Sequence, residues 1–323
     1  MSDNVPPAQF TRIGQLLDYL QLNKILDDTQ IDLQTDFSLR VPLSFVQRMQ
    51  PGNIDDPLLR QVLPLREEKR GVKGFSPSPL QEQDYQPLPG LIHKYPQRIL
   101  LMPSESCSIH CRYCFRRHFS YAEQPDSLNM DRQMQWIANH TDIHEVILSG
   151  GDPMVLSDRR LLQIIHSLNA IPHLQRLRIH TRELVVNPQR ITDELINCLK
   201  ISRVPMVIVI HTNHPQEIDA GVAQQLFKLR QACFTLLNQS VLLKGVNDDA
   251  QVLAQLSEKL FNAGILPYYL HRLDPVSGSH HFALERGEIQ LIYTQLQALL
   301  PGYLLPRLVQ EEPGKKSKTL LGI

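Results

Sequence analysis

From Arg98 onward the chain alternates between apolar runs of strand length and helical patterns. The runs fall at 98–103, 145–149, 175–181, 205–211, 235–243 and 265–273. Between them, Ile218, Val222, Leu226 and Leu229 recur at the spacing of one helical face, and Ile289, Ile292, Leu296 and Leu299 form another after the last run. Strand–helix alternation at this spacing predicts parallel βα units in an α/β fold. Six units predict a partial or open barrel, short of the full eight. Ligands in such sheets gather at the carboxyl ends of the strands. The cysteine-bearing loop after the first strand and Ser149-Gly150-Gly151-Asp152-Pro153 after the second would then face one cavity.

Upstream, residues 1–90 read as a helical accessory region and linker. Ile13, Leu16, Leu17 and Leu20 share a helical face, and Val46, Met49 and Asp56-Pro57-Leu58-Leu59 suggest further short helices. The proline-bearing stretch from Ser76-Pro77-Ser78-Pro79 to Pro87-Leu88-Pro89 predicts an extended connector. The barrel would occupy 91–302, leaving 303–323 as a carboxyl-terminal segment. In isolation its basic, glycine-bearing run Pro313-Gly314-Lys315-Lys316-Ser317-Lys318 would be a solvated loop.

Composition narrows the class. The chain has 323 residues, 42% hydrophobic, enough for a sizeable core. Lys+Arg and Asp+Glu number 33 each, so charge offers no sign of nucleic-acid or anionic-membrane binding. Met206 to Ile210 is far too short to span a bilayer, and Met1 to Arg12 lacks an apolar signal core. Five cysteines, three of them clustered, do not form a disulfide framework. Cys198 and Cys233 fall in apolar-periodic segments and read as buried structural residues. These features predict a soluble, cytoplasmic protein.

The clustered cysteines are Cys107-Ser108-Ile109-His110-Cys111-Arg112-Tyr113-Cys114. Cys111 and Cys114 alone would make a zinc half-site, with His110 or His118 completing a Cys3His set. The full C-x3-C-x2-C spacing suits a [4Fe–4S] cube whose fourth iron stays open, since such clusters normally take four cysteines. Basic residues follow (Arg116, Arg117, His118), as an anionic ligand would want. This run resembles the radical S-adenosylmethionine (radical SAM) superfamily, in which the open iron is chelated by the amino and carboxylate groups of SAM. Gly150-Gly151 removes side chains where a backbone must approach a ligand closely, and Asp152 could accept from an ammonium. A generic strand-end turn accounts for the same letters. Placed one βα unit after the cysteines, Ser149-Gly150-Gly151-Asp152 resembles the superfamily's SAM-binding glycine motif.

Further motifs narrow the resemblance to the lysine 2,3-aminomutase family. They are Lys94-Tyr95-Pro96-Gln97-Arg98, Cys111-Arg112-Tyr113-Cys114-Phe115-Arg116-Arg117, Arg182 to Ile191, His211-Thr212-Asn213-His214-Pro215, and Asn238 to Asp248. They follow the family's order from Asp56-Pro57 to Lys318. The resemblance implies a partial (β/α)6 radical SAM barrel at 91–302 and a short segment at 303–323 carrying the lysine that holds pyridoxal 5′-phosphate (PLP). Lys318 falls on that lysine; Lys315 and Lys316, which interrupt the family's glycine run, are rivals. Lys94 and Arg98 match phosphate-contacting positions. Arg116 matches the carboxylate-binding arginine, and a guanidinium fork suits a carboxylate. Asp274 matches a carboxylate that binds the distal ammonium, and the family's second such aspartate falls at Glu311.

The implied reaction converts L-α-lysine to β-lysine. A 5′-deoxyadenosyl radical starts a 1,2-migration of nitrogen on PLP, with free L-lysine as substrate and a flavodoxin- or ferredoxin-type reductant. The short carboxyl end and the Lys315-Lys316-Ser317 insertion resemble the aminomutases that serve elongation factor P. That implies (R)-β-lysine and a functional link to the β-lysyl ligase of that factor. Two alternatives stand beside this reading: an aminomutase for another amino acid such as arginine, and a non-enzymatic zinc-containing binding module.

Overall fold

A computed structural model of the protein describes residues 6–23, 30–119 and 127–322. The six strand-length runs all form strands: β2 (Arg98–Ser104), β3 (Glu145–Gly150), β4 (Arg176–Thr181), β5 (Met206–His211), β6 (Thr235–Leu242) and β7 (Leu266–Arg272). Each is followed by a helix: α1 (Ser127–Asn139), α2 (Asp158–Asn169), α3 (Asp193–Lys200), α4 (Ala220–Gln231), α5 (Ala250–Asn262) and α6 (Arg286–Leu299). The loops hand over to the helices through polar caps. Ser157 Oγ accepts from Arg160 N–H, Thr192 Oγ1 from Leu195 N–H, and Asp219 Oδ1 from Val222 N–H. Each such cap stabilises its helix by about 1 kcal/mol.

Three further strands join this sheet at its edges. β1 (Leu91–Tyr95) pairs antiparallel with β2; β8 (Arg307–Gln310) adds parallel to β7; β9 (Thr319–Leu320) pairs antiparallel with β8. Among the described residues the sheet has nine strands in the order β9-β8-β7-β6-β5-β4-β3-β2-β1. It is the expected partial barrel of six βα units, extended at both edges. Period-2 burial sorts its two faces. On β4, Leu177 and Ile179 are buried among the helices' apolar faces, while Arg178 and His180 point the other way. The main core therefore lies between sheet and helices.

The amino-terminal region has its own apolar core, built from Phe10, Leu16, Phe45, Val46, Leu58 and Leu59 and closed by Ile109 and Val186 of the barrel. Its helices are short: Ile13–Tyr19, Leu43–Val46 and Pro57–Arg60. The last begins at Asp56, whose Oδ1 accepts from Leu58 and Leu59 N–H, with Pro57 in the first turn where its missing N–H costs nothing. A two-residue ribbon (Gln9–Phe10 with Val41–Pro42) and irregular chain make up much of the rest, so the helical expectation holds only in part. The connector is extended where Ser76 pairs with Val276 after β7, then turns through Glu82–Tyr85. Residues 1–5 of the polar amino terminus lie outside the described residues.

Two side chains differ from expectation. Leu299 is exposed, because α6 ends there and Leu300 takes the inward position. Cys233 is also exposed, in the left-handed turn that closes α4 (φ +66°), whereas Cys198 is buried as expected. Among the described residues no helix is long and apolar enough to cross a membrane.

Candidate active site

The cysteine loop leaves the carboxyl end of β2 and is held largely by the amino-terminal region. His110 N–H donates to the Arg40 carbonyl and Arg112 N–H to the Gln61 carbonyl, each at 2.9 Å. Arg112 is fully buried, with Nε 2.9 Å from Glu68 Oε1, and Arg117 Nη2 lies 2.6 Å from Glu68 Oε2. Burial alone would raise the Glu68 pKa, but the two guanidiniums outweigh it and hold the carboxylate below its usual range. Cys107, Cys111 and Cys114 are all free thiols, half-buried on this loop. Burial, with neighbouring thiols adding to it, raises Cys107 and pushes Cys114 up to about 11. Both imidazoles considered for zinc face backbone carbonyls: His110 Nδ1 at 2.8 Å from Ser38 O and His118 Nε2 at 3.0 Å from Ser277 O. Among the described residues no three His, Cys, Asp or Glu are gathered for a single metal ion.

The glycine loop packs directly on the cysteine loop. Gly150 has φ +108°, and a Cβ there would come within 3.0 Å of Met102 and of the Ser104 carbonyl; at Gly151 it would meet Ser106 O at 2.5 Å. Gly151 and Asp152 N–H donate to the Ser104 and Ser106 carbonyls. The glycines thus permit close approach of one loop to the other. Asp152 is fully committed: Oδ1 accepts from Thr181 Oγ1 (2.7 Å) and Met154 N–H (3.0 Å), Oδ2 from Arg182 N–H (2.6 Å) and Glu183 N–H (2.8 Å). With two donors on each oxygen, Asp152 anchors the loop to the end of β4. Ser149 and Gly150 instead meet Arg116, whose Nη1 lies 3.4 Å from Ser149 Oγ and 3.3 Å from Gly150 O.

Arg116 is buried and its fork already holds a carboxylate. Nε and Nη2 donate to Glu82 Oε2 and Oε1 at 2.8 and 2.7 Å. Glu82 opens the turn Glu82–Tyr85, and Tyr85 Oη accepts from Gly314 N–H at 2.8 Å, so this turn touches both the cysteine loop and the carboxyl-terminal segment.

The carboxyl-terminal segment brings Lys318 within electrostatic reach of Asp274, His180, His211 and His271 and leaves Lys315 and Lys316 exposed. Lys318 Nζ lies 2.7 Å from Glu311 Oε2, and Lys94 Nζ lies 2.7 Å from Glu311 Oε1, where Tyr95 Oη also donates. Burial would raise the Glu311 pKa, but Lys318, Lys94 and Tyr95 bring it down to about 2. Glu311 is thus the counter-ion of both Lys94 and Lys318. Arg98 stacks its guanidinium 5.0 Å from the Tyr95 ring centre.

Asp274 behaves differently. Its Oδ1 is buried without a hydrogen-bond partner among the described residues. Burial pushes its pKa up to about 7, with Lys318 offsetting part of the effect and Glu311 and Glu82 adding to it. A buried carboxylate without a donor is costly unless a cation arrives.

The barrel interior carries polar residues that the sequence reading left out as candidates. His180 on β4, His211 on β5, Gln239 on β6 and His271 on β7 take inward positions; His211 Nε2 lies 2.8 Å from Gln239 Nε2. Burial lowers all three imidazoles, His211 to about 3, and nearby cations add to it. Among the described residues, His180 Nε2 and His271 Nε2 have no partner. The available signal was a polar side chain at alternate positions of otherwise apolar strands, as in Arg178 and His180 or Tyr269 and His271.

A partial barrel whose first parallel strand ends in C-x3-C-x2-C, with a Gly-Gly-Asp loop packed against it, is the framework of a radical SAM protein, and the Radical SAM superfamily model matches residues 101–212. Over 285 residues the chain is 51% identical to the L-lysine 2,3-aminomutase of Haemophilus influenzae, spanning 88% of this chain and 84% of that one. The corresponding Escherichia coli protein is 49% identical over 288 residues, 89% of this chain and 84% of the relative. That of Clostridium subterminale is 35% identical over 310 residues, 95% and 74%. The chain belongs to the L-lysine 2,3-aminomutase family.

Membership implies a [4Fe–4S] cluster, SAM and PLP, and the residues present fit them. Three free thiols share one loop. Lys318 stands within electrostatic reach of Asp274 and His271, and Asp274 Oδ1, His180 Nε2 and His271 Nε2, unpartnered among the described residues, are buried polar atoms of the kind a bound polar molecule satisfies.

Proposed function

We propose that this chain is an isomerase that converts L-lysine to β-lysine by moving nitrogen from C2 to C3. Asp274 carries the proposal: a buried carboxylate, one oxygen unpartnered, within electrostatic reach of Lys318. Lysine offers an ammonium for it and a carboxylate for Arg116. Cys107, Cys111 and Cys114 would hold the cluster, with the loop Ser149, Gly150, Gly151 and Asp152 shaping the SAM site beside it. Lys318 would hold PLP, with Arg98 as the cation left for its phosphate. When bound, the cluster and SAM supply the one-electron chemistry that removes and returns a hydrogen, and PLP supplies the conjugated ring that carries nitrogen.

The protein's own part is orientation and charge control. Arg116 and Asp274 would fix the two ends of the substrate, limiting which carbon meets the reacting groups. Buried His180, His211 and His271 stay neutral, so they can donate or accept without adding charge. Glu311 balances Lys94 and Lys318 in a site shielded from water. The division at 1–90, 91–302 and 303–323 belongs to the same proposal, supported by the separate apolar core of the amino-terminal region.

We further propose (R)-β-lysine as the product, made in the cytoplasm with a flavodoxin- or ferredoxin-type reductant for attachment to elongation factor P. The Lys315-Lys316-Ser317 insertion supports this, as does the higher identity to the Haemophilus and Escherichia relatives than to the clostridial one. The test is anaerobic turnover with the cluster reconstituted and PLP, SAM, reductant and L-lysine supplied, resolving the enantiomers. (R)-β-lysine supports the full proposal, and the (S) form removes the link to elongation factor P. SAM cleavage with no β-lysine removes the substrate assignment.

A further inference from the structure

Arg182 is the first residue beyond β4, and its guanidinium is buried at the edge of the cysteine loop. Nη1 lies 2.7 Å from Cys111 Sγ and also donates to Tyr113 Oη. Nη2 donates to Gln61 Oε1 at 2.7 Å and to Glu217 Oε2 at 3.1 Å. Those partners are themselves held. Asn213 Nδ2 donates to Gln61 Oε1 and Tyr113 Oη, and Glu217 Oε1 accepts from Asn213 and His214 N–H. The Arg182 backbone N–H is tied to Asp152. A cation is thus locked against one of the three cysteine sulfurs by residues from the amino-terminal region, the cysteine loop, β4 and the turn after β5.

Both terminal nitrogens of the guanidinium are engaged, Nε alone is buried without a partner among the described residues, and Glu217 is completely buried. An ordered, charged donor on a ligating sulfur has a definite consequence. Hydrogen bonds to cluster sulfurs are among the factors that set reduction potential. A cube with three thiolates becomes one unit more negative when it accepts an electron from the external reductant. A fixed positive donor at the sulfur stabilises that reduced form more than the oxidised one.

We propose that Arg182 is a positioning residue for the cluster: it donates to Cys111 Sγ, fixes that ligand's orientation and makes the cluster easier to reduce. Glu217 and Gln61 hold the guanidinium in place, and Glu217 tempers its charge. The proposal rests on Cys111 being a cluster ligand, and iron content tests that reading separately.

The experiment is an anaerobic redox titration of the full-length reconstituted protein, following the signal of the reduced cluster by electron paramagnetic resonance. Native protein is compared with Arg182→Gln, Arg182→Lys and Glu217→Gln. Arg182→Gln should shift the midpoint to more negative potential, Arg182→Lys should restore part of the shift, and Glu217→Gln should move it to more positive potential. A merely structural role would not give opposite signs for the two partners. An unchanged midpoint in Arg182→Gln at full iron content overturns the proposal. Absence of iron from native protein overturns the cluster reading instead. Should the variants fail to hold iron, native protein grown on guanidino-15N arginine decides: a 15N coupling to the reduced cluster is expected, and its absence overturns the proposal.

Discussion

Lys94 on β1 and Glu311 beyond β8 form a buried ion pair at 2.7 Å that ties together the two ends of an open sheet. β1 is the edge strand on one side; Glu311 lies between β8 and the edge strand β9 on the other. Only 8% of either side chain is exposed, so neither charge is solvated well enough to stand alone. Lys318 and Tyr95 share the same carboxylate, which makes Glu311 the hub that closes the barrel beside the proposed PLP lysine.

Replacing Glu311 by Ala leaves the buried Lys94 and the half-buried Lys318 without their counter-ion. Removing one member of a buried pair costs about 3–5 kcal/mol, and denaturant unfolding of the cofactor-free protein should show a loss of that order. The pH dependence has a definite sign. Glu311 sits at about 2 in the folded chain, below the ordinary 4.5, so its stabilisation is full above about 4.5 and is lost as pH falls toward 2. Native protein should lose its advantage over Glu311→Gln across that window. A gap that stays constant from pH 6 to pH 2 contradicts the assignment.

Asp274 has the opposite sign. Its folded pKa of about 7 lies above the ordinary 3.8, so its contribution to stability is full below about 4 and is lost as pH rises through 7. Asp274→Asn should therefore gain on native protein between those limits when no ligand is present. With lysine the demand reverses, because the ammonium needs the ionised carboxylate: KM for lysine should rise as pH drops below about 7. Loss of a charge-assisted contact of about 1.5–3 kcal/mol should raise KM in Asp274→Asn by roughly 10- to 100-fold. An uncharged analogue should be far less affected, and equal effects on both ligands would remove the ammonium role.

Glu82 occupies the fork of Arg116 that a substrate carboxylate would need. Glu82→Gln weakens that internal competitor, so lysine should bind more tightly to the variant. The decarboxylated diamine should not, because it makes no demand on Arg116. Tighter binding of both ligands would show that Glu82 acts on the cavity in general.

Borohydride reduction of the PLP-loaded protein should fix the pyridoxyl group on Lys318, which is half-buried, and not on the exposed Lys315 or Lys316. Peptide mapping reads this directly. Lys315→Ala and Lys316→Ala should keep the label, and Lys318→Ala should lose it.

The parts of the molecule legible in the sequence were those with a strong period. β2 to β7 carry dense apolar runs because one face packs under helices, and their bounds fall within a residue or so of expectation. β8 and β9 have four and two residues, too few to show a period, and Lys318 stands just before the second. The amino-terminal region is apolar at the right residues, but its helices are single turns or little more, fixed by long-range contacts such as Glu68 with Arg112. The site divided along the same line. Local motifs placed Cys107, Cys111, Cys114 and the glycines on adjoining loops. Partners distant in sequence, such as Glu82 for Arg116 or Glu311 for Lys94, followed from closure of the barrel, which no local pattern encodes.

The most direct test follows the nitrogen itself. L-lysine carrying 15N at the C2 amino group is incubated anaerobically with the reconstituted protein, PLP, SAM and a strong reductant, and the product is examined by NMR. The proposed activity predicts β-lysine with 15N bonded to C3 and unlabelled nitrogen at C6. Iron- and PLP-replete protein that returns lysine with 15N still only at C2, or releases the label to solution, would contradict it.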